Sequence, residues 1–187
     1  LWARNLVVSG PDLANHFCNT TSVTVDLEDH VFVGGYTTPY GPNYLAGSSV
    51  PQGTYMSAYT SVGDTTWTRM IAYYHGDVAG LTPASSSVWE GHVFVSNSIY
   101  LNTTSDTVTV DTVIFTGLQG GALALLGLSS SDGGMEWVNA NGFPYVGPRV
   151  SQNQLHVDPD GHIFVDGGFG DGSVFGVDTL SVSGTFT

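Results

Sequence analysis

Short alternations of apolar and polar residues recur along the chain. Ser22-Val-Thr-Val-Asp-Leu27, Thr107-Val-Thr-Val110 and Thr179-Leu-Ser-Val-Ser183 each place every second side chain on one face, and turn-forming residues bound each run. A period of two is the mark of a strand with one covered face. No stretch keeps a helical period of 3.6 residues for three turns, and β-branched and aromatic residues dominate the apolar set. The pattern predicts an all-β chain.

Self-similarity organises these strands. His30-Val-Phe-Val33, His92-Val-Phe-Val95 and His162-Ile-Phe-Val165 are near copies. A second marker is Trp followed two residues later by Arg or Asn, at Trp2-Ala-Arg4, Trp67-Thr-Arg69 and Trp137-Val-Asn139. A third is Gly four residues ahead of the tryptophan, at Gly63 and Gly133. The interval from Trp67 to His92 equals that from Trp137 to His162, and Trp2 to His30 is three residues longer. One unit then reads as four strands. The first ends near Val25, Val88 or Val157, and a tight turn follows, clearest in Asp158-Pro-Asp-Gly161. There Pro presets φ and Gly supplies a positive one. The His-Val-Phe-Val segment forms the second strand, Tyr55 to Thr60 or Ala122 to Leu128 the third, and the tryptophan lies in the fourth.

These markers resemble the β-propeller repeat family known as SBBP, found mainly in secreted and surface proteins. Gly161-His-Ile-Phe-Val-Asp-Gly-Gly-Phe-Gly-Asp-Gly-Ser-Val-Phe-Gly-Val-Asp-Thr-Leu180 resembles its succession of Gly, aromatic, Val, Gly, Phe-Gly and Thr-Leu, and Gly-x-x-x-Trp-x-Arg resembles the end of the repeat. The chain lacks the Lys that the family often places in its third strand. The resemblance implies tandem four-stranded antiparallel units resembling β-propeller blades, incomplete at both ends. The expected division is 1–21 as a fourth strand of a preceding unit plus loop, 22–86 and 87–154 as repeat units, and 155–187 as a partial third unit. Two and a fraction blades cannot close a ring, which takes at least about four. Open sheet edges are templates for another strand, so self-association with neighbouring copies, into an oligomer or filament, is one expectation. The other is that the chain is a fragment of a longer propeller.

Charge narrows the partners. Sixteen acidic residues face three arginines and no lysine, for a net charge of -13. That excess repels phosphate backbones and anionic lipid, so neither nucleic acid nor membrane insertion is expected. Only 10% of residues are charged, so Ser, Thr, Asn, Gly and Asp must carry solubility, which suits an extracellular or cell-surface location. Cys18, the one cysteine, forms no disulfide within the chain; a free thiol and a cross-link between chains both remain open.

Candidate chemistry is sparse. Asp158, Asp160, Asp166 and Asp171 gather hard oxygen ligands around one turn, as a calcium ion requires, yet a strand follows where the twelve-residue calcium loop should continue. Calcium is thus the only cofactor expected, beside the plainer reading of no cofactor and a structural turn. Asn19 and Asn102 open Asn-Thr-Thr sequons for glycosylation. Trp89 falls outside the register of the other tryptophans and could stack on a ligand, with carbohydrate as the partner class; a core role is the competing reading. A carbohydrate- or peptide-binding β-propeller module, with or without calcium, is therefore the alternative to a structural or adhesive protein. No Gly-x-Ser-x-Gly elbow occurs, no spacing pairs two carboxylates for glycoside cleavage, and the Gly-rich stretch 167–172 opens no helix that could hold phosphate. No catalytic residue, and no enzyme, is expected.

Overall fold

The computed structural model describes residues 18–37, 43–45, 48–50, 52–75, 80–101, 107–116, 120–142, 151–168, 173–175 and 178–180. Every regular element among them is a strand. In chain order, β1 (Cys18–Val25) and β2 (Val31–Thr37) precede the small hairpin of β3 (Asn43–Leu45) and β4 (Ser48–Val50), then β5 (Gly53–Tyr59) and β6 (Thr65–His75). Next come β7 (Gly80–Trp89), β8 (His92–Leu101), the hairpin β9 (Thr107–Val110) and β10 (Val113–Thr116), β11 (Gly120–Ser129) and β12 (Met135–Gly142). The last are β13 (Ser151–Val157), β14 (Ile163–Gly168), β15 (Ser173–Phe175) and β16 (Asp178–Leu180). The all-β expectation is met, in antiparallel sheets.

Two sheets share one order. The first runs β1-β2-β5-β6 and is lengthened by β9-β10; the second runs β7-β8-β11-β12. In both, a hairpin is inserted between the second and third strands, and a third pair, β13-β14, is again followed by a hairpin, β15-β16. The strand ends at Val25 and Val157 fall where the sequence places them, and β7 runs one residue beyond Val88. β7 begins at Gly80, so the first strand of the second meander straddles position 87.

Register makes the likeness of the three hairpins concrete. The pairing of β1 with β2 slips between Thr20 and Ser22, that of β7 with β8 between Pro83 and Ser85, and that of β13 with β14 between Gln152 and Gln154. Each bulge stands at the same distance from its turn. Pro83 borders the second one, where a residue without an N–H is tolerated in a strand. A second bulge recurs in the other half of the meander. Ala58 pairs with Trp67 and Tyr59 with Thr65, just as Gly127 pairs with Trp137 and Leu128 with Met135. The tryptophan therefore follows a bulge in both sheets.

The sheets stack face to face. Phe32, Met56, Ala58, Ile71 and Ala72 of the first meet Val93, Val95, Ile99, Leu126 and Leu128 of the second in the main core. On the opposite face of the second sheet, Phe94 packs with Leu155 and Val157, joined by Trp89, Leu125, Ile163 and Val165. Alternation dictates this layering. In His-Val-Phe-Val, the Phe points to the following layer and the flanking valines to the preceding one. Phe32 and Trp67 stand 6.1 Å apart between ring centroids, and Phe94 and Trp137 stand 6.0 Å apart, so the two meanders also repeat an aromatic pair.

Candidate functional site

The recurrent histidines belong to turns. Asp26 donates its N–H to the His30 carbonyl at 3.1 Å, and its Oδ1 accepts the N–H groups of Glu28 and His30 at 2.9 and 2.8 Å. Asp158 repeats this with His162 at 3.1 Å, and its Oδ1 accepts from Asp160 and His162, both at 2.9 Å. In each turn the second carboxylate oxygen lies 2.9 Å from the histidine Nδ1. An ionised carboxylate only accepts, so Nδ1 carries the hydrogen. Residue four of the turn has a positive φ, 84° at Gly161 and 63° at Asp29. Asp, like Asn, enters this region more readily than most residues. The second turn is one residue shorter, with Glu90 and Gly91 both at positive φ, which matches the twist of a two-residue hairpin. Its Asp is replaced, and His92 Nδ1 instead reaches Glu136 Oε2 at 2.6 Å, on β12.

These contacts set carboxyl pKa values. Burial pushes Asp26 up, but the His30 side chain and the N–H groups of His30 and Glu28 outweigh it and hold the carboxyl below 3.8. The His162 N–H, and then its ring, lower Asp158; the Gly134 N–H, and then the Ser129 hydroxyl, lower Asp132. A carboxylate depressed in the fold stabilises it above its unfolded pKa, and that contribution vanishes as pH falls through the folded value. Thermal unfolding is accordingly expected to hold steady down to about pH 5 and to fall below about pH 4. The double variant Asp26→Asn, Asp158→Asn should melt lower at neutral pH and show a shallower acid limb, as followed by circular dichroism.

Of the proposed calcium ligands, the structure brings Asp158 and Asp160 together, with His162 as the third donor within 4.8 Å. Asp166 lies in β14 opposite Gln154 instead, and Asp171 lies outside the described residues. Asp158 has both oxygens committed to closing its turn, so a cation there would compete with three hydrogen-bond donors, the Asp160 and His162 N–H groups and the His162 ring, or exchange them. Asn19 sits exposed in β1, paired with Tyr36, and Asn102 lies outside the described residues.

Trp89 has a contact that its sequence position concealed. Its indole N–H donates to the Pro159 carbonyl at 3.1 Å, and a Cβ on Gly161 would stand 2.9 Å from its ring. The Asp158–Gly161 turn thus rides on Trp89. Trp67 carries another turn in the same manner. Its N–H donates to the Ser130 carbonyl at 2.8 Å, Arg69 Nη1 donates to the Gly133 carbonyl at 3.2 Å, and a Cβ on Gly133 would stand 2.7 Å from the ring. Both contacts join one layer to the next. Trp137, the counterpart of Trp67, is 37% exposed. Trp2 lies outside the described residues.

No protein-family model and no curated protein sequence matches the chain.

What these groups accomplish together is mechanical. Acidic and histidine side chains close turns, tryptophans seat the turns of the following layer, and the layers stack through apolar faces. Trp67 and Trp137, and Gly63 and Gly133, occupy matching positions in the two sheets, as the sequence repeat implies. The sequence could not reveal that the partner of Trp67, and of Trp89, is a turn more than sixty residues away.

Proposed function

We propose that this chain is a non-catalytic, extracellular structural or adhesive repeat protein whose units are propeller-like blades and whose copies assemble by strand complementation into an oligomer or filament. The observation that supports this most is the third unit. In the first two layers the His-Val-Phe-Val strand has neighbours on both sides, β1 and β5 for β2, and β7 and β11 for β8. Among the described residues, β14 pairs with β13 alone. A strand of this kind presents a row of N–H and C=O groups that another extended segment can complete.

Sedimentation velocity and electron microscopy of the full chain test the reading. Assemblies that grow with protein concentration are expected, and a monomer at every concentration would overturn it. Glycan acceptance at Asn19 and Asn102 belongs to the same extracellular reading. In material from a glycosylating host, an intact mass above the 19.7 kDa of the polypeptide is expected, and peptide-N-glycosidase should return it to that value.

A binding module is the second reading, favoured by the half-exposed ring of Trp137 beside Phe94. Binding on a glycan array that is lost in Trp137→Ala would select it.

A further inference from the structure

We infer that the two outer layers of the stack are the two halves of one interface, and that a second copy of this chain docks head to tail, with Phe164 of one copy on the Val23 and Val25 edge of the first hairpin of the next. This rests on the self-assembling reading above and assigns it a surface.

The argument is one of equivalent positions. Three hairpins share a bulge, a turn and a His-aliphatic-Phe-Val strand. Within the chain, the Phe of each earlier hairpin is covered by the next layer. Phe32 is buried among Val93 and Val95, whose strand neighbour Val88 also packs there. Phe94 is buried among Leu155, Val157, Ile163 and Val165. A side-chain hydrogen bond between Ser86 and Ser22, at 3.1 Å, fixes the same pair of faces at their edge. The same relation, applied once more, assigns Phe164 a partner face that the described part of this chain does not supply, and Phe164 is 57% exposed.

At the other end of the stack, the matching face is also uncovered along its edge strand. Val23 and Val25 of β1 occupy the positions of Leu155 and Val157 in β13, and Val31 and Val33 those of Ile163 and Val165. In the third hairpin those four residues form the seat of Phe94. In the first hairpin Val23 is 62% and Val25 53% exposed and Leu27 beyond them is fully exposed, while Val33 on the inner strand is buried, so the open part of the seat is its β1 edge. A knob lacking its seat and a seat lacking its knob thus lie on opposite faces of one molecule, each with a working copy inside the chain. Apolar groups left in water are the ones whose burial favours association. Because the two faces differ, the contact is heterologous, and repeating it yields a ring if the rotation closes and a filament if it does not. With a net charge of -13 on each copy, repulsion opposes the contact, so added salt should strengthen it.

The test uses the full chain and two variants, Phe164→Asp and Val25→Asp, each at an exposed position and each checked by circular dichroism for an unchanged fold. Sedimentation equilibrium should show either variant associating more than about tenfold more weakly than the parent, as loss of a central apolar anchor does. Each variant keeps one intact face, so an equimolar mixture should form dimers and stop there. Assembly of the parent with neither variant affected would overturn this interface while leaving strand complementation standing. Dimers formed by either variant alone, through a symmetric contact, would overturn it as well. A parent that stays monomeric would overturn both this interface and the self-assembling reading.

Discussion

Truncating Phe32 to alanine is expected to cost about 3–5 kcal/mol, the usual loss for a large aromatic removed from a close-packed core. Phe32 is 1% exposed, lies where the two main sheets meet and packs beside Trp67. The cavity would open between layers whose backbones are held by their own ladders, so it can collapse only partly. Set against a domain stability of about 5–15 kcal/mol, the variant should be close to its folding limit at room temperature. Urea unfolding monitored by circular dichroism would show a large fall in midpoint with little change in slope. The informative contrast is Phe164→Ala. The same residue type occupies the same place in the third hairpin but is mostly solvated. In dilute protein its truncation should cost within about 0.5 kcal/mol. Equal costs at the two positions would contradict the stacking order of the layers.

Gly133→Val is expected to destabilise by roughly 3 kcal/mol, for two separable reasons. Gly133 has a φ of 69°, a region that costs an L-residue roughly 1–2 kcal/mol and suits a β-branched one least. Its N–H also closes the turn onto the Ser129 carbonyl at 2.9 Å, so the conformation cannot simply relax. The added Cβ would stand 2.7 Å from the Trp67 ring. Moving that ring breaks its hydrogen bond to the Ser130 carbonyl, worth about 1 kcal/mol. Tryptophan fluorescence should shift to the red as Trp67 leaves its seat, alongside the lower urea midpoint. A variant with lowered stability but unchanged emission would assign the whole cost to the backbone and remove the turn-on-tryptophan contact from the account.

Much of the local structure was legible because it depends on near neighbours. The alternation at Ser22–Leu27 and Thr107–Val110 reports strands, since only a period of two puts Val23 and Val25, or Val108 and Val110, on one face. Gly63 and Gly133 recur four residues before their tryptophans because both sit at positive φ, 86° and 69°, two residues ahead of the strand, although the second turn is one residue longer. His30 and His162 each supply a donor to the second oxygen of Asp26 and Asp158, whereas His92, in the same place, turns to Glu136. Other features were hidden. The Pro83 bulge is invisible in a strand pattern, since a bulge is a property of two strands in register. Trp89 looked available for a ligand because its neighbour in space, the Asp158–Gly161 turn, is remote in sequence. The calcium proposal joined Asp166 to Asp158 because both are acidic and close along the chain. Strand geometry carries Asp166 opposite Gln154, and His162 takes the third place at the turn.

Sequence alone determined the all-β character, the order of strands within each four-stranded meander and the turns between them, because backbone sterics and side-chain alternation act over a few residues. Tertiary structure decided which faces meet, which tryptophan carries which turn, and that the insertion β9-β10 extends the first sheet from within the second. Those choices depend on complementary surfaces brought together across long stretches of chain, and composition along one strand holds no record of the surface it will face.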